Sequence, residues 1–347
     1  MSERKKNTVR DVAILAGVSV SVVSRVLNSA SGGVSEPTRR RVREAIQSLR
    51  YCPQDDVQQQ PVRAGNTLAL LVPDLSDDFC AELCALLIRQ AGEMGLSVMV
   101  QATQDDPLLE REILNRLISQ PLRAIIALPV CDNSDRWQAV ADSGIIIVFL
   151  NRWLERFSHA HIIRFDNQQA AAAATGYLAE LGHRHIGWIG EAMDIASARQ
   201  QLAGYRQQLA GYRQSLQRYG LPWRESLILS HTFRDPGVVN ALDRLLHLSQ
   251  PPTALIVSNP SVAQAVIARL RELRLSLPRD LSLLVYHDAP WLRLLSPAVG
   301  VMQYPLAALV DQALLRLMPQ TDILPELNCR LIPRESAVAF SAEQRAG

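Results

Sequence analysis

The chain has 347 residues, 48% of them hydrophobic, with 36 Lys or Arg against 34 Asp or Glu for a net charge of +2. That length accommodates two or three domains with buried cores, and the composition is that of a soluble globular protein. No run of about 18 apolar residues occurs, and the polar start MSERKKN does not read as a secretory signal, so a cytoplasmic protein without a membrane span is expected.

The first patterned stretch is TVRDVAILAGVSVSVVSRVLN, residues 8–28. Thr8 and Asp11 have the spacing of a capping box, and Val9, Val12, Ala13 and Ala16 recur on one helical face. Gly17 can end that helix in a left-handed conformation, and Ser19 can cap the next. The second helix turns Val23, Val26 and Leu27 inward and leaves Val20, Ser21, Ser24 and Arg25 outward. This is helix–turn–helix geometry, which lays a helix in the major groove of DNA; an ordinary αα-hairpin is the other reading. Residues 1–50 hold ten basic and four acidic side chains, a balance of +6 that leaves −4 for the remainder. A basic head on a mildly acidic body is the footprint of a phosphate-binding module fused to something else.

Residues 35–51, SEPTRRRVREAIQSLRY, read as a third helix, capped by Ser35 and closing the domain with Val42, Ala45, Ile46 and Leu49. Residues 52–66, polar and with two prolines and a glutamine run, read as a linker. From residue 67 onward, strand-like runs at 68–72, 96–100, 124–130 and 145–150 alternate with helical stretches around 78–94, 107–120 and 135–143. The alternation resumes with strands at 162–165, 185–190, 227–230, 254–258 and 281–286. Such a pattern calls for parallel sheets covered by helices, here in two similar α/β lobes with a ligand crevice at the strand C-termini.

One repeat stands out. RQQLAGY occupies 199–205 and, letter for letter, 206–212. Seven residues turn a helix through about 700°, so the second copy presents nearly the same face about 10.5 Å further along. The repeat therefore reads as a local duplication that a helix can absorb, with one end displaced.

From DVAILAGVSVSVVSRVLN (11–28) through VSEPTRRRVREAIQSLRY (34–51), AELGHRHIGWIG (179–190), LAGYRQSL (209–216), LPRDLSLLVYHD (277–288) and LIPRESA (331–337), the chain resembles the bacterial LacI/GalR transcription factors. The resemblance implies an α/β protein: a small all-α helix–turn–helix headpiece (1–51), a hinge (52–66), and a periplasmic-binding-protein-like core with parallel sheets (67–337) before a C-terminal tail (338–347). It places the N-lobe at about 67–165 and 298–324 and the C-lobe at about 166–297 and 325–337, with crossovers near Asp166, Pro297 and Leu324. It also implies a homodimer, with further pairing into tetramers left open, a double-stranded DNA operator, and a small effector of the sugar type.

Residue by residue, the resemblance puts Val20, Ser21 and Arg25 against base edges, Arg25 as a bidentate guanine contact. Thr8, Ser19, Ser24 and Asn28 fall at phosphate contacts, while Val22 replaces a usual phosphate-binding Thr. In the hinge, Gln54, Val57 and Gln60 occupy the segment that folds on DNA. Gln60, followed by Pro61, stands where the family has a groove-wedging leucine, and Asp55 and Asp56 add negative charge beside phosphates, so weaker or less bent DNA binding is expected.

The effector site departs too. The family's sugar-binding Arg is replaced by Gln201, or by Gln208 in the second heptad copy; Asn259 is followed by Pro260; and His287 replaces an aspartate, with Asp288 beside it. Losing three charge-assisted partners points to a different ligand or to none. Asp74, Asn151, Trp153 and Arg199 remain candidate effector contacts, Trp153 having loop packing as its other reading and Asp74 the capping of the next helix.

No catalytic residue, cofactor or metal is expected. Nucleotide-loop and nucleophile-elbow motifs are missing, and the five cysteines (52, 80, 84, 131, 329) lack CxxC spacing and suit reduced thiols. The H-x-H pairs at 159/161 and 183/185 want a third ligand and read as strand-end histidines. The leading expectation is a nucleoid-associated, cytoplasmic repressor responding to a carbohydrate. A DNA-binding regulator without a small effector, or with a protein co-regulator, is the alternative, and a stand-alone sugar-binding protein comes last.

Overall fold

The computed structural model describes residues 9–19, 22–23, 26, 35–49, 65–130, 133–154, 157–191, 203–231, 237–318 and 325–341. They belong to two compact units, residues 1–65 and 66–347.

In the first unit, α1 (Val9–Ala16) and α2 (Glu36–Leu49) flank a segment whose described residues 22, 23 and 26 are helical. Val12, Ala13, Ala16, Val23, Val26, Val42 and Ala45 form one small core, with Val18 and Ile46 packed against it. α1 stops at Gly17, whose φ of +64° favours glycine, and the Gly17 and Val18 amides close back on the carbonyls of Ile14 and Ala13.

The second unit contains two doubly wound lobes. In lobe 1, β1 (Thr67–Val72), β2 (Ser97–Ala102), β3 (Leu122–Ala127), β4 (Ile146–Leu150) and β5 (His161–Ile163) form a parallel sheet in the order 2-1-3-4-5. Helices α3 (Asp78–Glu93), α4 (Pro107–Leu117) and α5 (Ser134–Asp142) cross between these strands. In lobe 2, α6 (Asn167–Glu180) leads to β6 (Ile186–Glu191), α7 (Ala203–Arg218), β7 (Ile228–His231), α8 (Gly237–Leu246), β8 (Ala254–Val257), α9 (Pro260–Glu272) and β9 (Ser282–Tyr286). Its sheet runs 11-10-9-8-6-7, completed by β10 (Gly300–Gln303) and an antiparallel edge strand β11 (Arg330–Ile332). Central strands such as Leu68–Val72 and Leu283–Tyr286 are buried throughout, as continuous apolar runs in a two-sided sheet must be. Asp77, Asp106, Asp166 and Asn259 each cap the following helix by accepting a backbone N–H, at 3.0, 2.8, 2.8 and 2.8 Å.

Among the described residues, three crossing segments join the lobes. Phe165 bridges to Leu327 in parallel, the Asp166 amide donates to Leu327 O at 2.9 Å, and Arg164 pairs with Glu326. Tyr304, on the remaining segment, stacks on Phe165 with ring centroids 4.5 Å apart. The passage expected near Pro297 therefore falls at Tyr304, because β10 pairs with β9 inside lobe 2 and only α10 (Leu306–Leu315) returns to pack on α3. Residues 298–303 belong to lobe 2. The expected tail also begins later than 338: Phe340 N donates to Leu181 O at 2.7 Å and the Phe340 ring lies against His183.

Candidate functional site

In the first unit, Ser19 is exposed at the start of the second helical segment, and its carbonyl accepts the Val22 and Val23 amides at 3.0 and 3.2 Å. It stands where an N-cap belongs. Ser35 and Thr38 share a side-chain hydrogen bond of 2.9 Å at the head of α2. The other expected DNA contacts (Val20, Ser21, Arg25, Thr8, Ser24, Asn28) and the hinge residues Gln54, Val57 and Gln60 lie outside the described residues.

In the second unit, both sheets reverse strand order beside their first strand, between β1 and β3 and between β6 and β8. Ligands of open α/β sheets bind at such switch points, outside the strand C-termini. Backbone strain collects at this end of the sheets. Gln104 and Asp105 follow β2, Asn151 follows β4 and His287 follows β9, with φ of 56°, 52°, 54° and 72°. Non-glycine residues held there mark clefts and switches more often than plain scaffold.

The side chains at this end are already engaged. Asp74 turns back on its own loop, accepting the Ser76 amide at 2.9 Å and the Ser76 hydroxyl at 2.8 Å. Asn259 spends its Oδ1 on the cap of α9. Trp153, offered above as a stacking face, is only 7% exposed; it packs with Phe149 and Phe157, and the Arg164 guanidinium covers its ring at 5.2 Å. A ring this buried, with a guanidinium over it, has little face to offer a ligand, which favours the loop-packing reading.

His287 is likewise committed. It is buried, its ring lies 5.7 Å from Phe79 and 6.4 Å from Tyr304, and its Nε2 is 3.4 Å from Glu82. Burial holds its imidazole below the usual pKa, against the pull of Asp78 and Asp288; burial also pushes Glu82 up. Trp291 Nε1 donates to Asp78 at 3.3 Å beside it. Since Phe79, Asp78 and Glu82 sit on α3 of lobe 1, His287 and Trp291 form a contact between the lobes. Asp288, the acid nearest the missing family aspartate, is buried under Arg334 and Arg293, each approaching to 2.6 Å. Burial works against its charge, yet those donors hold its carboxyl below the ordinary range. Asp105 is paired with Arg152 at 2.5 Å.

Glu110 escaped the sequence reading. Fully buried, it accepts the Val130 amide at 2.7 Å and the Asn133 side chain at 2.9 Å, fixing the loop after β3. Burial pushes its carboxyl up to about 7. The signal was available, because Glu110 lies on the same helical stripe as Ile113, Leu114 and Leu117.

The duplicated heptad separates into two environments. The second copy is the one built into lobe 2: a Cβ on Gly211 would lie 2.0 Å from Gln168 O and 3.0 Å from Ala172 N of α6. Tyr212 is buried and donates to Ile186 O at 2.7 Å. Gly204 of the first copy instead faces Asn151 O at 3.3 Å and Asn167 Nδ2 at 3.4 Å from its Cβ position. Asn151 in turn accepts from Asn167 Nδ2 at 3.1 Å. Arg199 and Gln201, the expected effector contacts upstream, lie outside the described residues.

Comparison with known proteins bears on both units. Residues 8–54 match the bacterial regulatory proteins of the lacI family, and residues 175–337 match the periplasmic binding protein-like domain. The chain thus carries a lacI-family DNA-binding domain followed by a periplasmic-binding-protein-like domain. It is similar to the HTH-type transcriptional regulator GalS of Salmonella typhimurium, at 29% identity over 88% of this chain and 87% of that one. The maltose regulon regulatory protein MalI of Escherichia coli is 29% identical over 76% of this chain and 75% of its own. Among solved structures, a complex of the transcriptional regulator CelR with cellobiose superposes with a TM-score of 0.68 at 24% identity, covering 95% of this chain and 99% of that one. The chain is thus a DNA-binding transcriptional regulator with a periplasmic-binding-protein-like core. Among the described residues, no helix is long and apolar enough to cross a membrane, and no group of His, Cys, Asp and Glu could hold a metal ion.

Proposed function

We propose that the chain is a cytoplasmic repressor that binds a palindromic operator as a homodimer, and that its core does not hold a sugar by the family's charged contacts. The observation that carries this reading is the commitment of the cleft's charged groups: Asp288 to Arg334 and Arg293, and Asp105 to Arg152. A sugar hydroxyl would have to displace one of these pairs. That costs more than the neutral hydrogen bonds left at Asn151 or Gln208 return.

A second reading keeps a carbohydrate effector, bound through neutral amides. The strained residues Gln104, Asn151 and His287 at the strand ends favour it, as does similarity to a maltose regulon regulator.

Selection of bound duplexes from a random pool tests both. The selected duplex is then titrated at several salt concentrations, with and without galactose, maltose and cellobiose. A palindrome indifferent to all three supports the first reading, and release by one of them supports the second. Absence of enrichment, with salt-dependent binding alone, sinks both. In the same assay Arg25→Ala is expected to weaken the selected site by roughly 5- to 150-fold and to relax preference at one base pair, whereas loss of a phosphate contact weakens all duplexes alike.

A further inference from the structure

We propose that the duplicated heptad is an intramolecular strut: its first copy, entering α7 at Ala203 and Gly204, stands against Asn151 of lobe 1 and fixes the orientation of the two lobes without a ligand. This deepens the reading in which no small molecule sets the lobes.

A helix is a rigid rod, and the second copy pins this one. Gly211 lies against the α6 backbone and Tyr212 reaches Ile186 O, so α7 cannot slide along its axis. Of the first copy, residues 203–205 are described, and they carry the same rod about 4.5 Å beyond the second copy, with faces that repeat seven residues later to within about 20°. Gly204 accordingly repeats the outlook of Gly211 two turns earlier, but it meets Asn151 of lobe 1 as well as the Asn167 side chain at the head of α6. On the lobe 1 side the surface it meets is main chain: Asn151 has a φ of 54°, its amide donates to Ile163 O at 2.8 Å, and its side chain accepts from Asn167. A contact between a pinned helix and a strained strand end has little room to give. The cluster of Phe79, His287, Tyr304 and Trp291 with Asp78 forms a second contact between the lobes. Two separate contacts define an orientation where one would leave a pivot.

The test uses the full-length protein and a variant lacking residues 199–205, which keeps one copy and the helical register. Small-angle scattering of the single-copy variant is expected to show a larger radius of gyration. Calorimetry is expected to resolve two core transitions where the parent shows one. Scattering and melting curves that superpose on the parent's would overturn the proposal. Should the deletion fail to fold, Gly204→Leu carries the same test, because its side chain must displace Asn151 O while chain length is kept. A Gly204→Leu protein with native circular dichroism and parental scattering counts equally against the strut. Operator titration of the same samples is expected to shift affinity at least fivefold. If no variant and no parent binds any duplex, the repressor reading fails while scattering still decides the strut.

Discussion

Two copies of the same seven residues occupy one helix and do different work. In the second copy the glycine is a structural necessity, since nothing larger fits between α7 and the Gln168 carbonyl. In the first copy the same glycine borders Asn151 of the other lobe and the Asn167 side chain, where an added Cβ would be crowded but not excluded. Sequence identity here carries no identity of role; the partner surface assigns it. The rule extends to the whole second unit: contacts inside a lobe are extensive and closed, and those between lobes are fewer.

The largest expected effect breaks the two copies apart directly. Gly211→Ala places a Cβ 2.0 Å from a backbone oxygen, so α6 and α7 must separate, at a cost of roughly 3 kcal/mol or more. Gly204→Ala meets its neighbours at 3.3 and 3.4 Å, and the gain in helix propensity of about 1 kcal/mol offsets the crowding. Urea denaturation of both variants should show a wide gap in midpoint at equal slope. Equal losses would mean that the copies are interchangeable and that the helix slides between them.

How much of this could be read beforehand depends on the kind of signal. The strands at 68–72, 254–258 and 281–286 announced themselves because buried parallel strands are unbroken apolar runs; the structure sets them at Thr67–Val72, Ala254–Val257 and Ser282–Tyr286. β10 was missed: four residues opening on a glycine are too short for any period to show, and only pairing with β9 makes them a strand. The cleft was the least legible part. Asn259, Trp153 and His287 have the right residue types for ligand contacts, yet a cap, a guanidinium and a neighbouring lobe claim them, and such partners lie far off in sequence. Pattern showed that AGY occurs twice, but not which copy would be buried.

The next effect in size contrasts lobe 1 with the second copy's surroundings, where Tyr212 has its phenol pushed up by burial and stays neutral. Lobe 1 depends on a proton. Glu110 has its folded pKa raised to about 7 from an ordinary 4.5, so its contribution is complete below pH 4.5 and is lost as pH rises through 7. Stability should fall by about 3 kcal/mol across that window. Thermal melts from pH 4.5 to 8 should show the decline in the parent and a flatter profile in Glu110→Gln. A parallel decline in both would assign the dependence elsewhere.

Tyr212→Phe sharpens the comparison from the lobe 2 side. It removes one buried hydrogen bond, to Ile186 O, and leaves the ring's packing on Trp188 and Trp223 in place. A loss of about 1 kcal/mol in denaturant unfolding is expected, with no change in scattering, because the contact is internal to the lobe. Altered scattering with unaltered stability would instead place Tyr212 among the interlobe contacts.

The smallest effect asks whether the two interlobe contacts work together. His287 faces Asp78, Glu82 and Asp288, and burial outweighs their attraction, so its folded pKa lies below the ordinary 6.5. Its contribution is therefore complete above 6.5 and is lost as pH falls, the sign opposite to that of Glu110. His287→Gln cannot titrate, and its melting profile subtracted from the parent's should isolate a shallow loss on the acid side. Combining His287→Gln with Gly204→Leu then closes a double-mutant cycle across the unit. These sites touch different parts of lobe 1, α3 and the end of β4, so direct contact cannot couple them. Coupling above about 0.5 kcal/mol would have to pass through the orientation of the lobes, as a strut requires, whereas strict additivity would mean that each contact holds only its own neighbourhood.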